Sequence, residues 1–377
     1  MSNNRKKSVI IGAGQTGRGF IAPFLVNNGH QVVFIDKDKD LIAELCEKEQ
    51  YTIRYFGNNN PPATIKNYKA YDTQCEEAVS AIAQADYIFT AVGESQVKNL
   101  IELLQESLKA RTTTGERSRL VVITCENGIN PRKALLEAGL DQEMDISAGI
   151  VFCTTISKDK TSLNLLSENF DHIPYDAEPL ESSLEIDGFK PISSFSDLIE
   201  RKIYTYNCYS ACISYIGDYK GYRQYGEAAN DHDIESLLNM LSTPINQSIA
   251  REYNVVITEQ EDFAKVAVQK FQNVEIEDTI SRNARDVRRK LGPSERLIRP
   301  LNLMKAYNQS TEVIELMIAA ALYFGWENKE WTETIEEVLI SIAKIDSQAI
   351  RNSIMDKYSW FQNGISVETM IVNLMKS

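Results

Sequence analysis

The sequence predicts an α/β protein with a doubly wound parallel sheet in its N-terminal part and a mainly α-helical C-terminal part. Apolar runs of strand length alternate with helix-length segments in the first half of the chain, and a glycine-rich turn joins the first strand to the first helix. From residue 196 onward helical periodicity continues almost without interruption. This change of pattern near residues 193–196 predicts two domains, 1–194 and 195–377.

The first strand, residues 9–11, ends in a Gly-x-Gly-x-x-Gly turn. The turn consists of Gly12, Ala13, Gly14, Gln15, Thr16 and Gly17. Gly12 can adopt the backbone angles of a tight turn, Gly14 has no side chain to exclude a pyrophosphate, and Gly17 lets the following helix pack closely on the strand. The free N–H groups and the positive end of that helix favour an anion. We therefore predict a Rossmann-type cofactor site formed by Gly12, Gly14, Gln15, Thr16 and Gly17.

Two further strand ends are predicted to complete the cofactor site. The strand 31–35 is followed by Asp36, about 20 residues after the turn, where a carboxylate accepts hydrogen bonds from ribose hydroxyls and repels a 2′-phosphate. This predicts NAD in preference to NADP. The strand 87–92 ends at Val92 and Gly93, which should also reach the cofactor because open parallel sheets bind ligands at the carboxyl ends of their strands.

The remaining pattern predicts further elements of both domains. In the first domain we expect strands at 51–56, 120–124, 147–155 and 183–187, helices at 39–49, 75–83 and 97–110, a turn at 57–62 and a loop at 111–118. In the second we expect helices at 196–216, 234–252, 260–271, 313–324, 332–344 and 367–375, the first of them capped by Ser196 and stopped by Gly217.

Composition restricts the class of protein and its partners. The 377 residues carry a net charge of −13, which argues against nucleic-acid binding, and no apolar run of about 18 residues predicts a membrane span. The N-terminus shows no secretory signal, so a cytoplasmic location is expected. Six cysteines without a Cys-x-x-Cys pair predict free thiols, and three scattered histidines predict no metal site. The partner expected from this composition is therefore a small molecule.

The segment 200–210 contains a candidate catalytic group. In an α-helix Lys202, Asn207 and Ser210 fall within an arc of about 140°, so all three could face one cavity. A lysine acts as a general base near neutral pH only if burial or a neighbouring cation lowers its pKa. The spacing alone favours the other interpretation, a surface lysine and an ordinary helical asparagine.

Five blocks of sequence together resemble the mannitol dehydrogenase family of polyol-specific long-chain dehydrogenases. They are the glycine-rich segment up to Phe20, the strand end Thr90-Ala91-Val92-Gly93, Cys125-Glu126-Asn127, Glu200-Arg201-Lys202 with Asn207, and Arg289-Lys290-Leu291 followed by Arg296-Leu297-Ile298-Arg299-Pro300. The resemblance covers residues 9–300 and weakens afterwards.

This resemblance implies metal-independent hydride transfer between NAD and a polyol or a polyol phosphate of the mannitol 1-phosphate type. It implies that Lys202 is the general base and that Asn127 and Asn207 stabilise the developing alkoxide through their amide N–H groups. It also favours a monomer.

Three departures from the family pattern leave the substrate open. Ser210 stands where members carry a histidine, Ile156-Ser157-Lys158 replaces Val-Asp-Arg, and a proline expected near Val287 is missing. A serine exchanges hydrogen bonds but provides no imidazolium. The alternatives are an unphosphorylated polyol, a hexonate, or a catalytically impaired protein that senses NAD.

A group of cations provides candidate ligands for an anionic substrate. It comprises Arg282, Arg285, Arg288, Arg289, Lys290, Arg296 and Arg299. The family analogy favours Arg289 and Arg296 as substrate-binding residues, together with Ser210. The alternative is that several of these cations pair with the acids of residues 275–278 at the surface.

Overall fold

The computed structural model describes residues 5–57, 60–113, 119–159 and 161–376. The chain divides into two compact units, Met1–Ile199 and Glu200–Ser377, a few residues after the predicted boundary at 193–196. Each unit is described by itself below.

The described residues of the first unit form three sheets. Its strands are β1 Lys7–Ile11, β2 Gln31–Asp36, β3 Gln50–Tyr55, β4 Ala63–Lys66, β5 Lys69–Asp72, β6 Tyr87–Thr90, β7 Leu120–Thr124, β8 Met144–Ala148, β9 Thr155–Ile156, β10 Leu165–Ser167, β11 Ile173–Asp176 and β12 Phe189–Ile192. Its helices are α1 Ala22–Asn27, α2 Lys39–Lys48, α3 Glu76–Ala83, α4 Ile101–Thr113 and α5 Lys133–Glu137, with a π-turn at Gly17–Ile21 and 3₁₀ turns at Glu94–Leu100 and Leu140–Gln142.

The largest sheet positions the glycine-rich turn. Within the described residues its strand order is β5-β2-β1-β6-β7-β8 and every pairing is parallel. Alternate residues of β1 enter different cores, Ile10 on one face and Val9 and Ile11 on the other, so apolar side chains cover both faces of the sheet. The order changes direction beside β1, where such sheets bind ligands. The predicted Rossmann-type sheet is confirmed.

Several predictions for the first unit are wrong in detail. The strand expected at 147–155 is β8, which ends at Ala148, and the outer strand expected at 183–187 is absent among the described residues. Instead β11 pairs with β12 in a small parallel sheet, and β4 and β5 were not predicted. Helix α4 extends to Thr113, which removes the start of the predicted loop at 111–118. Residues 58–59 and 114–118 of the predicted turn and loop lie outside the described residues.

The second unit is largely helical, as predicted. Its helices are α6 Phe195–Lys202, which begins in the first unit, α7 Cys208–Tyr219, α8 Tyr225–Ala229, α9 His232–Glu252, α10 Ile257–Gln272, α11 Ile280–Ala284, α12 Val287–Lys290, α13 Ile298–Ala306, α14 Glu312–Glu327, α15 Ile335–Ser341, α16 Gln348–Gln362 and α17 Val367–Leu374. None of the helices among the described residues is long and apolar enough to cross a membrane.

The helix predicted at 196–216 differs from the structure in three respects. Helix α6 begins at Phe195, so Ser196 lies inside it and is not its N-cap. A π-turn, Ile203–Asn207, joins α6 to α7, so the segment is not a regular α-helix. The predicted stop at Gly217 is wrong, because α7 continues to Tyr219. A Cβ atom at this glycine would lie 2.9 Å from the side chains of Ala228 and Ile280, so close helix packing requires the glycine.

Candidate functional site

The glycine-rich turn has the geometry that a dinucleotide requires. Gly12 has φ +100°, and a Cβ atom there would overlap the Ala91 carbonyl oxygen, while a Cβ atom at Gly17 would overlap the Gly12 carbonyl. A Cβ atom at Gly14, by contrast, would meet no atom within 4 Å. The two outer glycines are therefore required by the protein's own packing, and the middle one borders open space suited to a pyrophosphate.

Asp36, at the end of β2, is oriented by backbone donors. Its Oδ2 accepts a hydrogen bond from Ala13 N at 2.7 Å and its Oδ1 one from Asp38 N at 3.0 Å. Each carboxylate oxygen has a second lone pair, so both can also accept a bond from a ribose hydroxyl. The same side chain therefore fixes the glycine-rich turn and presents acceptors beside it.

Two side chains that follow Gly14 connect the turn to the rest of the first unit. Arg18 is buried, and its guanidinium donates to Ala13 O at 2.6 Å and to Leu163 O at 2.7 Å. With its side-chain amide oriented to suit its neighbours, Gln15 donates a hydrogen bond from its amide nitrogen to Thr155 O at 3.0 Å. Its amide oxygen accepts one from Ser157 N at 3.1 Å. The Gln15 side chain is thus engaged by the protein, so its predicted role in cofactor binding would fall to its backbone.

Glu126 organises the strand end that contains Val92 and Gly93. The carboxylate accepts hydrogen bonds from Thr90 Oγ1 at 2.6 Å, Val92 N at 3.1 Å and Gly93 N at 2.7 Å. Burial raises the pKa of Glu126. Glu126 belongs to the motif Cys125-Glu126-Asn127, but no role was predicted for it. Its position could have indicated this role, because an acid two residues after the buried strand β7 needs hydrogen-bond donors at the same edge of the sheet.

Asn127 follows Glu126 at the carboxyl end of β7 and is exposed on the first unit. The adjacent Cys125 is buried, and burial raises the pKa of its thiol well above the usual range. Cys125 is therefore a packing residue, and Asn127 is the member of this motif that is open to a ligand.

The π-turn changes the relation between Lys202 and Asn207. The N–H of Cys208 donates to the carbonyl of Ile203, five residues earlier, where an α-helix would bond four residues apart. Residues five apart therefore come to lie over one another in this turn, as residues four apart do in an α-helix. The arc of about 140° expected from regular α-helical geometry is wrong, and Lys202 and Asn207 share a face more closely than predicted.

Lys202 lies in an environment that disfavours its charge. Its side chain is only 6% exposed, and burial together with the positive charges of Arg296 and Lys270 lowers its pKa to about 7. A substantial fraction of the amine is therefore uncharged at neutral pH. Of the two interpretations that the spacing allowed, the surface lysine is wrong.

Asn207 provides a buried donor. Its Nδ2 atom is shielded from solvent, and no described residue accepts a hydrogen bond from it. A buried amide without an acceptor is unusual in a folded protein, because such a group loses its hydration without compensation. An oxygen atom of a ligand would satisfy it.

Ser210 lies on α7, three residues beyond Asn207, and is partly exposed. Burial raises the pKa of the buried Tyr225 phenol above its ordinary value, and Ser210 lowers it in smaller measure. A serine hydroxyl on α7 thus stands where the family pattern leads one to expect an imidazole.

The cations of residues 282–299 differ in their availability. Arg289 is bound on both sides, to Asp286 at 2.5 Å and to Glu295 at 2.6 Å, so part of its binding capacity is used within the protein. Arg296 is 8% exposed and contacts Glu295 at 3.1 Å. Lys290 is 6% exposed, and burial with Arg296 and Arg289 lowers its pKa to about 7. Buried positive charge concentrates around Arg296.

Comparison with known families assigns both parts of the chain. Residues 6–151 match the mannitol dehydrogenase Rossmann domain, and residues 195–372 match the mannitol dehydrogenase C-terminal domain. The chain belongs to the mannitol dehydrogenase family. It is therefore an oxidoreductase of the polyol dehydrogenase type that uses a nicotinamide dinucleotide. The resemblance found in the sequence is confirmed.

Relatives and solved structures agree with this membership. The mannitol-1-phosphate 5-dehydrogenases of Enterococcus faecalis and Lactococcus lactis are 27% and 30% identical, over 88% and 78% of this chain and 90% and 81% of theirs. The fold resembles Pseudomonas fluorescens mannitol 2-dehydrogenase, solved in a ternary complex with NAD and D-mannitol (TM-score 0.79, 15% identity, 100% of this chain and 95% of that one). It also resembles substrate-free D-sorbitol dehydrogenase (TM-score 0.71, 13% identity, 97% and 95%).

Proposed function

We propose that this member of the mannitol dehydrogenase family is an NAD-dependent dehydrogenase that interconverts a sugar-alcohol phosphate and a keto-sugar phosphate, of the mannitol 1-phosphate and fructose 6-phosphate type. The observation that carries the proposal is the juxtaposition, within one helical segment, of a buried amine and a buried amide donor. The pKa of Lys202 is lowered to about 7, and Asn207 Nδ2 lacks an acceptor among the described residues.

Lys202 is proposed as the general base. Its neutral amine accepts the proton of the substrate hydroxyl during oxidation, and its ammonium returns that proton during reduction. Asn207 donates its Nδ2 hydrogen to the same oxygen as negative charge develops there, which stabilises the alkoxide most when the charge is largest. The family resemblance assigns a second donor of this kind to Asn127.

NAD is the proposed cofactor, held by the glycine-rich turn and by Asp36. When bound, it supplies the hydride acceptor, a chemistry that protein side chains lack. Gly14 leaves room for the pyrophosphate, and Asp36 accepts from the ribose hydroxyls while its charge disfavours a 2′-phosphate. Val92 and Gly93 are proposed to contact the cofactor from the neighbouring strand end, which Glu126 holds in place.

The concentration of buried positive charge supports an anionic substrate. Arg296 lowers the pKa values of both Lys202 and Lys290, so its guanidinium repels each of the two ammonium groups. Glu295 is the carboxylate that contacts Arg296 directly, at 3.1 Å. A phosphate group bound by Arg296 would relieve this repulsion, and guanidinium groups bind phosphate in a bidentate manner.

The proposal is tested by measuring turnover of the purified protein through NADH absorbance. Fructose 6-phosphate with NADH, and mannitol 1-phosphate with NAD, are compared with unphosphorylated polyols and with hexonates such as altronate. We expect kcat/KM to be at least about 100-fold higher for the phosphates, because removing a bound phosphate leaves buried cations unpaired. Turnover of unphosphorylated substrates alone would overturn the phosphate assignment. Dinucleotide binding in calorimetry without any turnover would instead indicate a sensor.

Replacing Asp36 by asparagine is expected to weaken the preference for NAD over NADP by about tenfold or more, because the charge that repels a 2′-phosphate is lost. The asparagine oxygen can still accept the bond from Ala13 N, so the turn should remain intact. The ratio of kcat/KM values for the two cofactors measures this effect. The control is Asp38→Asn. Asp38 lies two residues after Asp36 and caps α2, a role that asparagine also fills, so this variant removes the same charge and should leave the ratio unchanged.

The pH dependence follows from the pKa of Lys202. Because this pKa is lowered to about 7, the amine is protonated below that pH and cannot accept a proton. We expect kcat/KM for polyol oxidation to rise about tenfold per pH unit below pH 7 and to level off above it, and ketose reduction to decline above pH 7. Initial rates measured in both directions from pH 5.5 to pH 10 test this. If the rate of oxidation instead rose with a midpoint near pH 10, the base would have the pKa of an ordinary lysine and the prediction would fail.

A further inference from the structure

A buried amide on α10 is hydrogen-bonded to the segment that carries the proposed base. Gln260 is fully buried, and both ends of its side chain are used. Its Oε1 accepts from Arg201 Nε at 3.0 Å, and its Nε2 donates to Thr205 Oγ1 at 2.9 Å and to Asn246 Oδ1 at 3.2 Å. Such a fully satisfied buried network holds its members in one arrangement.

The two partners of Gln260 on this segment flank the start of the π-turn. Arg201 lies in the last turn of α6, just before Lys202, and Thr205 lies at the centre of the π-turn Ile203–Asn207. A π-turn is a local irregularity that needs support from tertiary contacts, since a regular α-helix is the more stable alternative. Gln260 provides this support from outside the segment, on both sides of Lys202.

Helix α10 makes further contacts that keep it against α6. Arg201 pairs with Glu259 at 3.0 Å, and its guanidinium lies 5.3 Å from the ring centroid of Phe263. The same helix carries Lys270, one of the two cations that lower the pKa of Lys202. The other, Arg296, precedes α13. The position of α10 thus bears on both the geometry and the charge of the base.

We propose that Gln260 is a positioning residue for Lys202 and Asn207. By binding Arg201 and Thr205 it fixes the π-turn, and the π-turn fixes the angle between the amine and the amide. The inference rests on the proposed function, in which these two groups act on one oxygen atom. A misplacement of about 1 Å in such an arrangement costs about 10²-fold in rate.

The test compares Gln260→Leu with Gln260→Glu in the full-length protein. Leucine has a similar size and removes all three bonds, whereas glutamate keeps an acceptor for Arg201 and loses the donor to Thr205 and Asn246. We expect kcat to fall about 30- to 100-fold in Gln260→Leu and less in Gln260→Glu, with KM and the dinucleotide Kd within about twofold of wild type. A loss of folded protein would also lower the apparent kcat at unchanged KM, so kcat is expressed per dinucleotide-binding molecule, with the binding stoichiometry measured by calorimetry on the same preparation.

A second measurement does not need turnover. The reaction of Lys202 with limiting acetic anhydride, followed by mass spectrometry over a series of pH values, reports the titration of its amine. In wild type the midpoint is expected near pH 7, and in Gln260→Leu it should shift upward by about one unit or more as α10, with Lys270, moves away. A Thr205→Val variant, which removes one partner of Gln260, should shift it in the same direction.

The outcomes separate this inference from the proposed function. If Gln260→Leu melts at a lower temperature but keeps the wild-type kcat and Lys202 titration, Gln260 is only structural and the inference is overturned. If wild type turns over no polyol or polyol phosphate, the proposed function fails, and the titration alone decides the inference. If Gln260→Leu does not fold, Gln260→Glu and Thr205→Val decide it by the same two measurements. The control Lys357→Met, in a different part of this unit, should lower stability without moving the titration.

Discussion

Lys202→Ala is expected to lower kcat for polyol phosphate oxidation by about 10²- to 10⁴-fold, the usual contribution of a positioned general base. The dinucleotide Kd should change by less than about twofold, because the glycine-rich turn and Asp36 hold the cofactor. Steady-state kinetics and calorimetry measure the two quantities on the same preparation. The pH dependence near 7 should also disappear from the residual activity, since the group that titrates there has been removed.

Lys265→Ala is the matched control for this prediction. Lys265 lies on α10 in the same unit but is exposed, so Lys265→Ala makes the same substitution without opening a buried site. We expect wild-type kcat and KM. Wild-type activity in Lys202→Ala would exclude this lysine as the base, and an equal loss in both variants would point to a general effect of charge.

The second large effect concerns the stability of the C-terminal unit. Glu315 on α14 is 1% exposed and Lys357 on α16 is 4% exposed, and their charged ends lie 3.0 Å apart. Glu315 also accepts from Thr311 Oγ1 at 2.6 Å and from Ser353 Oγ at 2.5 Å, and Lys357 contacts Glu312 at 2.9 Å. This buried ion pair is stable only because each charge has several partners.

Lys357→Met is expected to lower the free energy of unfolding by about 3–5 kcal/mol, because it leaves the carboxylate of Glu315 buried without its counter-charge. Urea denaturation followed by circular dichroism measures the loss. The variant should keep the catalytic pH profile, since neither residue belongs to the proposed site.

Two further variants check the physical cause. Lys357→Met combined with Glu315→Leu removes both charges and should recover most of the lost stability. Arg288→Met breaks an exposed pair, in which Arg288 lies 2.5 Å from Glu333, and should cost less than about 1 kcal/mol. A similar loss in Arg288→Met and Lys357→Met would contradict the importance of burial.

The proposed cofactor-binding half of the candidate site rests on local pattern. The glycines, Asp36 and the strand end at Gly93 are read from short segments, because strand, turn and helix each have a distinct period and composition. The predictions failed where the sequence pattern of a strand does not coincide with actual strand pairing. Residues 183–187 alternate like a strand yet form no strand pairing among the described residues, while the short β12 pairs with β11.

The catalytic half shows a different limit. The family motif pointed to Lys202 and Asn207, but a regular helix was assumed and the π-turn between them was missed. Arg289 was chosen by analogy, and the structure pairs it with Asp286 and Glu295. Contacts of this kind join residues that no local pattern relates, so spacing could not reveal them.

The sequence by itself determined the class of the protein: a dinucleotide-binding sheet followed by helices, with a family motif centred on Lys202. Only the tertiary structure decided that this lysine is buried beside Arg296 and Lys270, that Glu126 binds the backbone of Val92 and Gly93, and that Gln260 supports the π-turn. The physical reason is the distance along the chain over which each kind of interaction acts. Periodicity and turn chemistry act over a few neighbouring residues, whereas burial, charge repulsion and pKa depend on atoms that folding brings together from distant parts of the chain.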